Sequence, residues 1–92
     1  MSLTPKSILV RKQGLPWQQI DDESLVLNPA EHEAHEFNET ASFIWAHLDG
    51  DSSMQQIIES LANNYSVDAQ TVSGDVMSLG EEMLTKGLVD CR

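Results

Sequence analysis

The fold is decided by the stretch FNETASFIWAHLDG at residues 37–50, which marks the change from strand to helix. Asn38 is a favourable N-cap, because its side-chain oxygen can accept a hydrogen bond from a backbone N–H in the first helical turn. Glu39 complements the positive end of the helix. One helical face carries the apolar residues Ala41, Ile44, Trp45 and Leu48. Gly50 can adopt the left-handed conformation, and we predict that it ends this helix.

Two further helices are predicted after residue 50. Ser52 and Gln55 have the spacing of a capping box at the start of the second helix. The apolar face of that helix consists of Met54, Ile57, Ile58, Leu61, Ala62 and Tyr65. Asp68 is the predicted N-cap of a third helix, which reaches about Lys86 and stops before Gly87. The inner stripe of the third helix is Ala69, Val72, Val76, Leu79 and Met83.

The first part of the chain predicts an antiparallel meander of three short strands. These strands are Pro16 to Ile20, Ser24 to Asn28 and Glu33 to Phe37, separated by polar or proline-containing links. The earlier run Ile8-Leu9-Val10 fits either a further strand or an arm laid along the sheet. Leu88-Val89 is expected to pack the C-terminus back on the core. Strands followed by helices predict the α+β class.

A chain of 92 residues is expected to form one domain with a modest core. We predict a flexible N-terminal tail at residues 1–7 and a single domain at residues 8–92. The lone cysteine, Cys91, allows no internal disulfide, and no apolar run is long enough to span a bilayer or to act as a signal peptide. A cytoplasmic protein without membrane contact is therefore the expectation.

The charge is distributed unevenly along the chain, which carries a formal net charge of -10. Fourteen of the 15 acidic residues, all but Asp90, lie between Gln13 and Thr85, and no Lys or Arg lies there. Nucleic-acid binding depends on cations that contact phosphates. The sequence therefore argues against nucleic acid as a partner.

Two features favour binding along one edge of the meander. Pro16 lacks an N–H and makes the first strand a poor template for further pairing, whereas the strand at Glu33 to Phe37 contains no proline. Its acids, Glu33 and Glu36, fit equally well as guards against aggregation or as contacts to a ligand. The third helix has a wider apolar or small face than one stripe requires, because Ser73, Met77, Gly80 and Leu84 lie beside the stripe. Either a second buried face or a groove explains that width.

Catalytic and metal sites have little support in the sequence. His32-Glu33-Ala34-His35 is one residue short of the H-E-x-x-H zinc pattern, and its two histidines would point to opposite faces of a strand. No glycine-rich phosphate loop follows a strand, and Cys91 has no neighbouring base. We therefore expect no catalytic residues, no metal and no cofactor.

The chain resembles the PqqD family over about residues 15 to 90. The residues that carry the resemblance are Leu25-Val26-Leu27-Asn28-Pro29, Phe37-Asn38-Glu39-Thr40-Ala41, Ile44-Trp45, Asp49-Gly50, Ile57, Leu61, Tyr65, Val67-Asp68, Asp75-Val76 and Gly87-Leu88-Val89. This family comprises small peptide-binding proteins of pyrroloquinoline quinone (PQQ) biosynthesis and the related recognition elements of ribosomally made, post-translationally modified peptides.

The resemblance implies a winged-helix-like domain, three antiparallel strands followed by a three-helix bundle, that acts as a non-catalytic peptide chaperone. The leader of a precursor peptide would add as a strand and be presented to a modifying enzyme, often a radical S-adenosylmethionine protein with its own cofactors. By position, the implied peptide-binding residues are Glu33, Ala34, His35, Glu36 and Phe37 on the strand and Val72, Asp75, Val76, Leu79 and Met83 on the third helix.

Two other functions remain open from the sequence. A winged-helix transcription regulator has the same order of elements, although the acidic charge speaks against it. A structural adaptor, in which the open strand edge pairs with a second copy to give a homodimer, is compatible with every pattern above.

Overall fold

Two three-stranded antiparallel sheets and three helices make up the computed structural model, which describes residues 3–92. The strands are β1 (Ile8–Arg11), β2 (Trp17–Ile20), β3 (Glu23–Asn28), β4 (Glu33–Phe37), β5 (Asp49–Ser53) and β6 (Val89–Cys91). The helices are α1 (Glu39–Ala46), α2 (Met54–Tyr65) and α3 (Ala69–Thr85), and a short 3-10 turn covers Pro29–Glu31. The predicted α+β class is confirmed, with winged helix as a loose description of the arrangement.

Strands β2, β3 and β4 form the predicted meander, here called the meander sheet, in that spatial order. The bounds of β4 agree with the prediction, while β2 begins at Trp17 and β3 at Glu23. One face of the sheet packs on α1, where Val26 is fully buried. The opposite face carries Ile20 and Leu27, which are 55% and 40% exposed.

A second sheet, here called the terminal sheet, joins the two ends of the chain. The run Ile8-Leu9-Val10 is a strand rather than an arm, because β1 pairs with β5 on one side and with β6 on the other. Val89 in β6 is buried, as expected for a C-terminus that packs back on the core. Strand β5 had no counterpart among the sequence predictions.

The predicted end of the first helix is wrong. Helix α1 ends at Ala46, and His47 caps it with its backbone N–H bonded to Ile44 and Trp45 oxygens. The chain leaves the helix early because the carbonyl oxygen of Leu48 accepts from the N–H of Arg11 at 2.9 Å, which draws this segment toward β1. Gly50 does have a positive φ of 85°, but it lies inside β5.

The predicted capping box is one residue out of place. The N-cap of α2 is Ser53, whose Oγ accepts from the N–H of Gln56 at 3.2 Å, while the Gln56 side chain accepts from the N–H of Ser53 at 2.9 Å. Ser52 cannot serve, because it belongs to β5 and donates its N–H to Asp49 Oδ1. The other two predicted caps, Asn38 and Asp68, are confirmed.

Residues 3–7, the described part of the predicted tail, lie against α2 and α3. The N–H of Leu3 donates to Glu81 Oε1 at 3.1 Å, and the carbonyl oxygens of Pro5 and Ser7 accept from the first turn of α2 at 2.8 Å. Met1 and Ser2 lie outside the described residues. The mobility of the tail stays a prediction, although its described part has defined contacts.

The core lies where the three helices meet both sheets. Trp45 is fully buried and meets Trp17 edge to face, with ring centroids 6.1 Å apart. The core also contains Leu9, Ile44, Leu48, Met54, Ile57, Leu61, Val76, Met83, Leu88 and Val89, each no more than 2% exposed. Within residues 3–92 no helix is long and apolar enough to cross a bilayer.

Candidate functional site

Strand β4 is an edge of the meander sheet, paired with β3 alone among residues 3–92. The direction of its amides follows from one bond in the neighbouring hairpin, in which Leu27 N donates to Pro16 O at 2.8 Å. Hydrogen bonding alternates along an antiparallel strand, so the N–H and C=O groups of Leu27 point to β2, and those of its neighbours Val26 and Asn28 point to β4. Their partners in β4 are His35 and Glu33.

The same alternation directs the other β4 amides outward. The N–H and C=O groups of Ala34 and Glu36 point away from β3, toward the open side of the sheet. Each residue therefore offers one donor and one acceptor to an incoming strand. An open edge of this kind is a template for main-chain pairing.

A groove of ≈ 270 Å³ lies beside the C-terminal end of β4, between that strand and α3. We call it the β4–α3 groove; it is lined by Glu36, Phe37, Asn38, Ala41, Leu79, Glu82, Met83, Lys86 and Leu88. Its apolar residues come from β4, α1, α3 and the segment before β6. For comparison, an engineered apolar cavity of about 150 Å³ holds benzene. The β4–α3 groove is large enough for one aliphatic or aromatic side chain.

The walls of the groove are held by the core. Phe37 packs on Trp45 with ring centroids 5.6 Å apart, and Met83 and Leu88 are at most 1% exposed. Asn38 fixes the junction of β4 and α1, because its Oδ1 accepts from the N–H of Ala41 at 2.9 Å. Rigid walls favour binding, since a preformed site has little conformational entropy to lose.

The polar residues of the groove give it an acidic rim. Lys86 Nζ lies 3.0 Å from Glu82 Oε1, so the single cation of the groove is already paired with a carboxylate. Glu36 is exposed and forms no ion pair among the described residues.

Four of the ten residues that the resemblance implied for the site line the β4–α3 groove, namely Glu36, Phe37, Leu79 and Met83. Glu33, Ala34 and His35 lie along the same strand but outside the groove. On α3, Val72 is partly buried against the core and Asp75 is exposed, and neither lines the groove.

Of the ten residues that the resemblance implied, Val76 is the least able to contact a ligand. Its side chain is fully buried, so it supports the groove from behind and offers no surface to a ligand. The residues that the sequence did not predict are Asn38, Ala41, Glu82, Lys86 and Leu88. Glu82 and Lys86 could have been found, because they continue the helical face of Leu79 at i+3 and i+7.

At Gly80, the wide face of α3 is explained by a second buried contact and not by a groove. A Cβ on Gly80 would lie 2.8 Å from Met54 Cε and 3.0 Å from Leu3 Cδ1, so this glycine admits α2 and the N-terminal segment. A Cβ on Gly74 would meet nothing within 4 Å. Neither glycine belongs to the β4–α3 groove.

The two histidines of the near-zinc pattern are separated by the backbone. His32 adopts a left-handed conformation with φ 55° and ends the 3-10 turn, so it lies in the link before β4. The two histidines therefore do not share a strand, and the predicted orientation on opposite faces of one strand does not apply to them. His35 lies within β4, and its Nε2 is 3.9 Å from Glu33 Oε1. Among residues 3–92 no group of three or more His, Cys, Asp or Glu side chains is placed to hold a metal ion.

A second recess of ≈ 460 Å³ lies at the same end of the meander sheet and reaches its exposed face. It shares three residues with the groove and adds four from β2 and β3; the full set is Ile20, Glu23, Ser24, Leu25, Glu36, Phe37 and Asn38. Both concavities therefore meet at the end of β4. No Lys or Arg contributes to this second recess.

An open strand edge beside an apolar groove is an arrangement with which proteins can bind extended peptides by strand addition. The chain belongs to the PqqD family, because the family model for coenzyme PQQ synthesis protein D (PqqD) matches residues 23–89. The resemblance inferred from the sequence is thereby confirmed. No curated protein sequence matches the chain.

Two solved structures share the fold. One is TbiB1 in complex with the TbiA(β) leader peptide, 23% identical, with a TM-score of 0.80 over 88% of this chain and 94% of that one. The other is the solution structure of the PqqD truncation of Methylobacterium extorquens PqqCD, described as a functional, stand-alone recognition element for ribosomally synthesized and post-translationally modified peptides. It is 14% identical, with a TM-score of 0.80 over 97% of this chain and 95% of that one.

Proposed function

We propose that this protein is a non-catalytic chaperone that binds the leader of a ribosomally made precursor peptide and presents it to a modifying enzyme. The observation that carries the proposal is the position of the outward amides of Ala34 and Glu36, directly beside the β4–α3 groove. Membership of the PqqD family supports it, and so does the similar fold of TbiB1, which was solved with a leader peptide.

In the proposed complex, the leader extends the meander sheet by a fourth strand next to β4. Its main chain exchanges hydrogen bonds with Ala34 and Glu36, which provides affinity without selecting a sequence. Its side chains alternate between the two faces of the sheet. Those on the face of Phe37 enter the groove between Phe37 and Leu79, where apolar burial contributes about 25 cal/mol per Å² of surface removed from water.

The chemistry of modification belongs, in this proposal, to a separate enzyme. A radical S-adenosylmethionine protein with its own cofactors is the partner that the family favours, and the chaperone supplies position rather than reactive groups. The cytoplasm is the proposed location, because ribosomally made precursors arise there and the single Cys91 requires no oxidising compartment.

Proline substitutions at the β4 edge test the proposal. Ala34→Pro and Glu36→Pro each remove an outward N–H and place a ring where the leader backbone would lie, while the bonds to β3 remain. Loss of one hydrogen bond and the steric block should weaken binding by about 1–3 kcal/mol, or roughly ten- to a hundredfold. Calorimetry with the precursor peptide encoded beside this protein would measure the change, and circular dichroism would check the fold.

Gln19→Pro is the matched control, because the same alternation directs the N–H of Gln19 outward at the opposite edge of the meander sheet. This variant should bind the leader like the parent protein. Unchanged affinity in folded Ala34→Pro and Glu36→Pro variants would show that the peptide binds elsewhere.

A homodimer through paired β4 edges is disfavoured by charge. Two copies of a chain with net charge -10 would bring Glu33 and Glu36 of each edge close to those of the other. Like charges across a strand pair are destabilising. Light scattering should therefore find monomers at micromolar concentration, and dimers that Glu36→Pro dissociates would instead support the adaptor function.

A further inference from the structure

The carboxylates at the β4 edge have no cation to neutralise them within the site. Lys86 is engaged by Glu82 at 3.0 Å, and the one ion-pair contact of the Glu33 carboxylate among residues 3–92 is with His35 Nε2, 3.9 Å away. No Lys or Arg occurs between Gln13 and Thr85. Lys86 is thus the single Lys or Arg that lines the groove or the neighbouring recess, and the surface beside which the leader would lie is mainly acidic.

Strand geometry assigns the peptide's side chains to two different surroundings. A peptide residue opposite Phe37 points to the inner face and enters the β4–α3 groove. The adjacent peptide residue lies opposite Glu36 and points to the exposed face of the meander sheet, because successive side chains alternate. Of these two adjacent peptide residues, the one in the groove is therefore surrounded by apolar side chains, and the other lies beside the unpaired carboxylate of Glu36.

The exposed face offers more than one contact to a long cationic side chain. Beyond Glu36 it continues to Leu25 and Glu23, which line the ≈ 460 Å³ recess together with Ile20. Lys and Arg can lay an aliphatic stem on apolar surface while the charged group stays in water. A side chain passing over Glu36 would find an apolar wall and a second carboxylate.

We propose that the leader recognised by this protein carries a Lys or Arg directly next to the apolar residue that fills the groove. This inference rests on the proposed function, and it adds a charge requirement that main-chain pairing alone does not impose. Glu36 is the specificity-determining residue, with Glu23 as a secondary contact for the same cation.

The test is selection from a displayed library of random dodecapeptides at low ionic strength, followed by affinity measurements on the synthetic peptides obtained. Bound peptides should contain a basic residue adjacent to a large apolar one. Replacing that basic residue by Glu should weaken binding about three- to tenfold, the range expected when an exposed ion pair becomes a like-charge contact. The preference should largely vanish in 1 M salt, where charges are screened within about 3 Å.

A charge exchange separates this contact from general attraction to an acidic protein. Glu36→Lys should reverse the preference, so that the peptide with Glu at the basic position binds better than the parent peptide. Glu59→Lys changes the net charge by the same amount from an exposed position on α2 and should keep the preference for a basic residue.

The failures of the two proposals are distinguishable. Peptides that bind equally well to the folded Ala34→Pro and Glu36→Pro variants would contradict strand addition at β4, and the charge requirement with it. Peptides that need the β4 edge but tolerate Glu next to the apolar residue would overturn only the charge requirement. Failure of Glu36→Lys to reverse the preference would remove Glu36 from its assigned role.

Discussion

Arg11 donates two hydrogen bonds from Nη1 to the end of α1, at 2.8 Å to the carbonyl oxygen of Trp45 and at 3.0 Å to that of Ala46. The same guanidinium lies over the ring of Trp17, 5.2 Å from its centroid. A residue of the terminal sheet therefore joins the meander sheet to α1. This contact positions β2, and the pairing of β2 with β3 and of β3 with β4 extends that constraint to β4.

Removing this guanidinium should destabilise the protein. Arg11→Met retains the apolar stem but loses the bonds to α1 and the contact with Trp17, at a cost of about 1–3 kcal/mol in the free energy of unfolding. Urea unfolding followed by tryptophan fluorescence would measure it. Lys12→Met is the control, because among the described residues the Lys12 side chain pairs only with Asp90, at 3.6 Å and exposed to solvent. This substitution should change stability by less than about 1 kcal/mol. Equal effects of the two substitutions would contradict the role given to Arg11.

The two glycines within α3 should respond in opposite directions to larger residues. Gly74→Ala should stabilise the protein by about 0.5–1 kcal/mol, because a methyl group meets nothing within 4 Å and alanine favours the helix. Gly80→Leu should destabilise it by about 1–3 kcal/mol through overpacking against Met54 and Leu3. Thermal unfolding of both variants decides the point, and a stable Gly80→Leu protein would show that Met54 and Leu3 shift without cost.

Asp49 should make stability depend on pH in the acid range. Hydrogen bonds from the N–H of Asp51, and to a smaller extent that of Ser52, hold the pKa of Asp49 below its ordinary value of 3.8. The folded state therefore binds fewer protons than the unfolded state, so the contribution is present above pH 3.8 and is lost as the pH falls through the lowered pKa.

Asp49→Ala should accordingly be less stable than the parent protein at neutral pH by about 0.5–1 kcal/mol, since the carboxylate is exposed. The difference should shrink as the pH falls below the ordinary pKa. Urea unfolding at neutral and at acid pH would measure both values. A difference that grows on acidification would contradict this assignment.

Duplex DNA should not bind at physiological salt. The acidic segment from Gln13 to Thr85 has no cation to contact phosphates, and non-specific affinity comes mainly from such contacts. Fluorescence anisotropy with a random duplex should stay flat as protein is added. A salt-dependent rise at micromolar protein would instead favour a transcription regulator.

The helices could be predicted from the sequence because each has an apolar face with a regular period. The face from Met54 to Ala62 is buried as its spacing indicates, Tyr65 is partly buried, and the caps at Asn38 and Asp68 need only local chemistry. Strand β5 could not be predicted this way. Its sequence, Asp49-Gly50-Asp51-Ser52-Ser53, has the composition of a turn, and it becomes a strand through pairing with β1.

Only those parts of the site that lie within a single strand or helix could be predicted from the sequence. The absence of proline in β4 identified one side of the groove, and the resemblance placed Leu79 and Met83 on the other. The residues that widen the face of α3 do not line the groove. Ala41 and Leu88 come from remote segments, and no local pattern shows that they meet Phe37. The resemblance placed Val76 in the site by position, yet its side chain is fully buried in the core.

The location of the groove at one end of β4 has a consequence for where a modifying enzyme could act. Main-chain pairing repeats every two residues, so the β4 edge alone would let a peptide slip by two residues, about 6.6 Å along the strand. A side chain seated beside Phe37 removes that freedom. The protein would then work as a ruler, holding the reactive part of the precursor at a constant distance from its anchor.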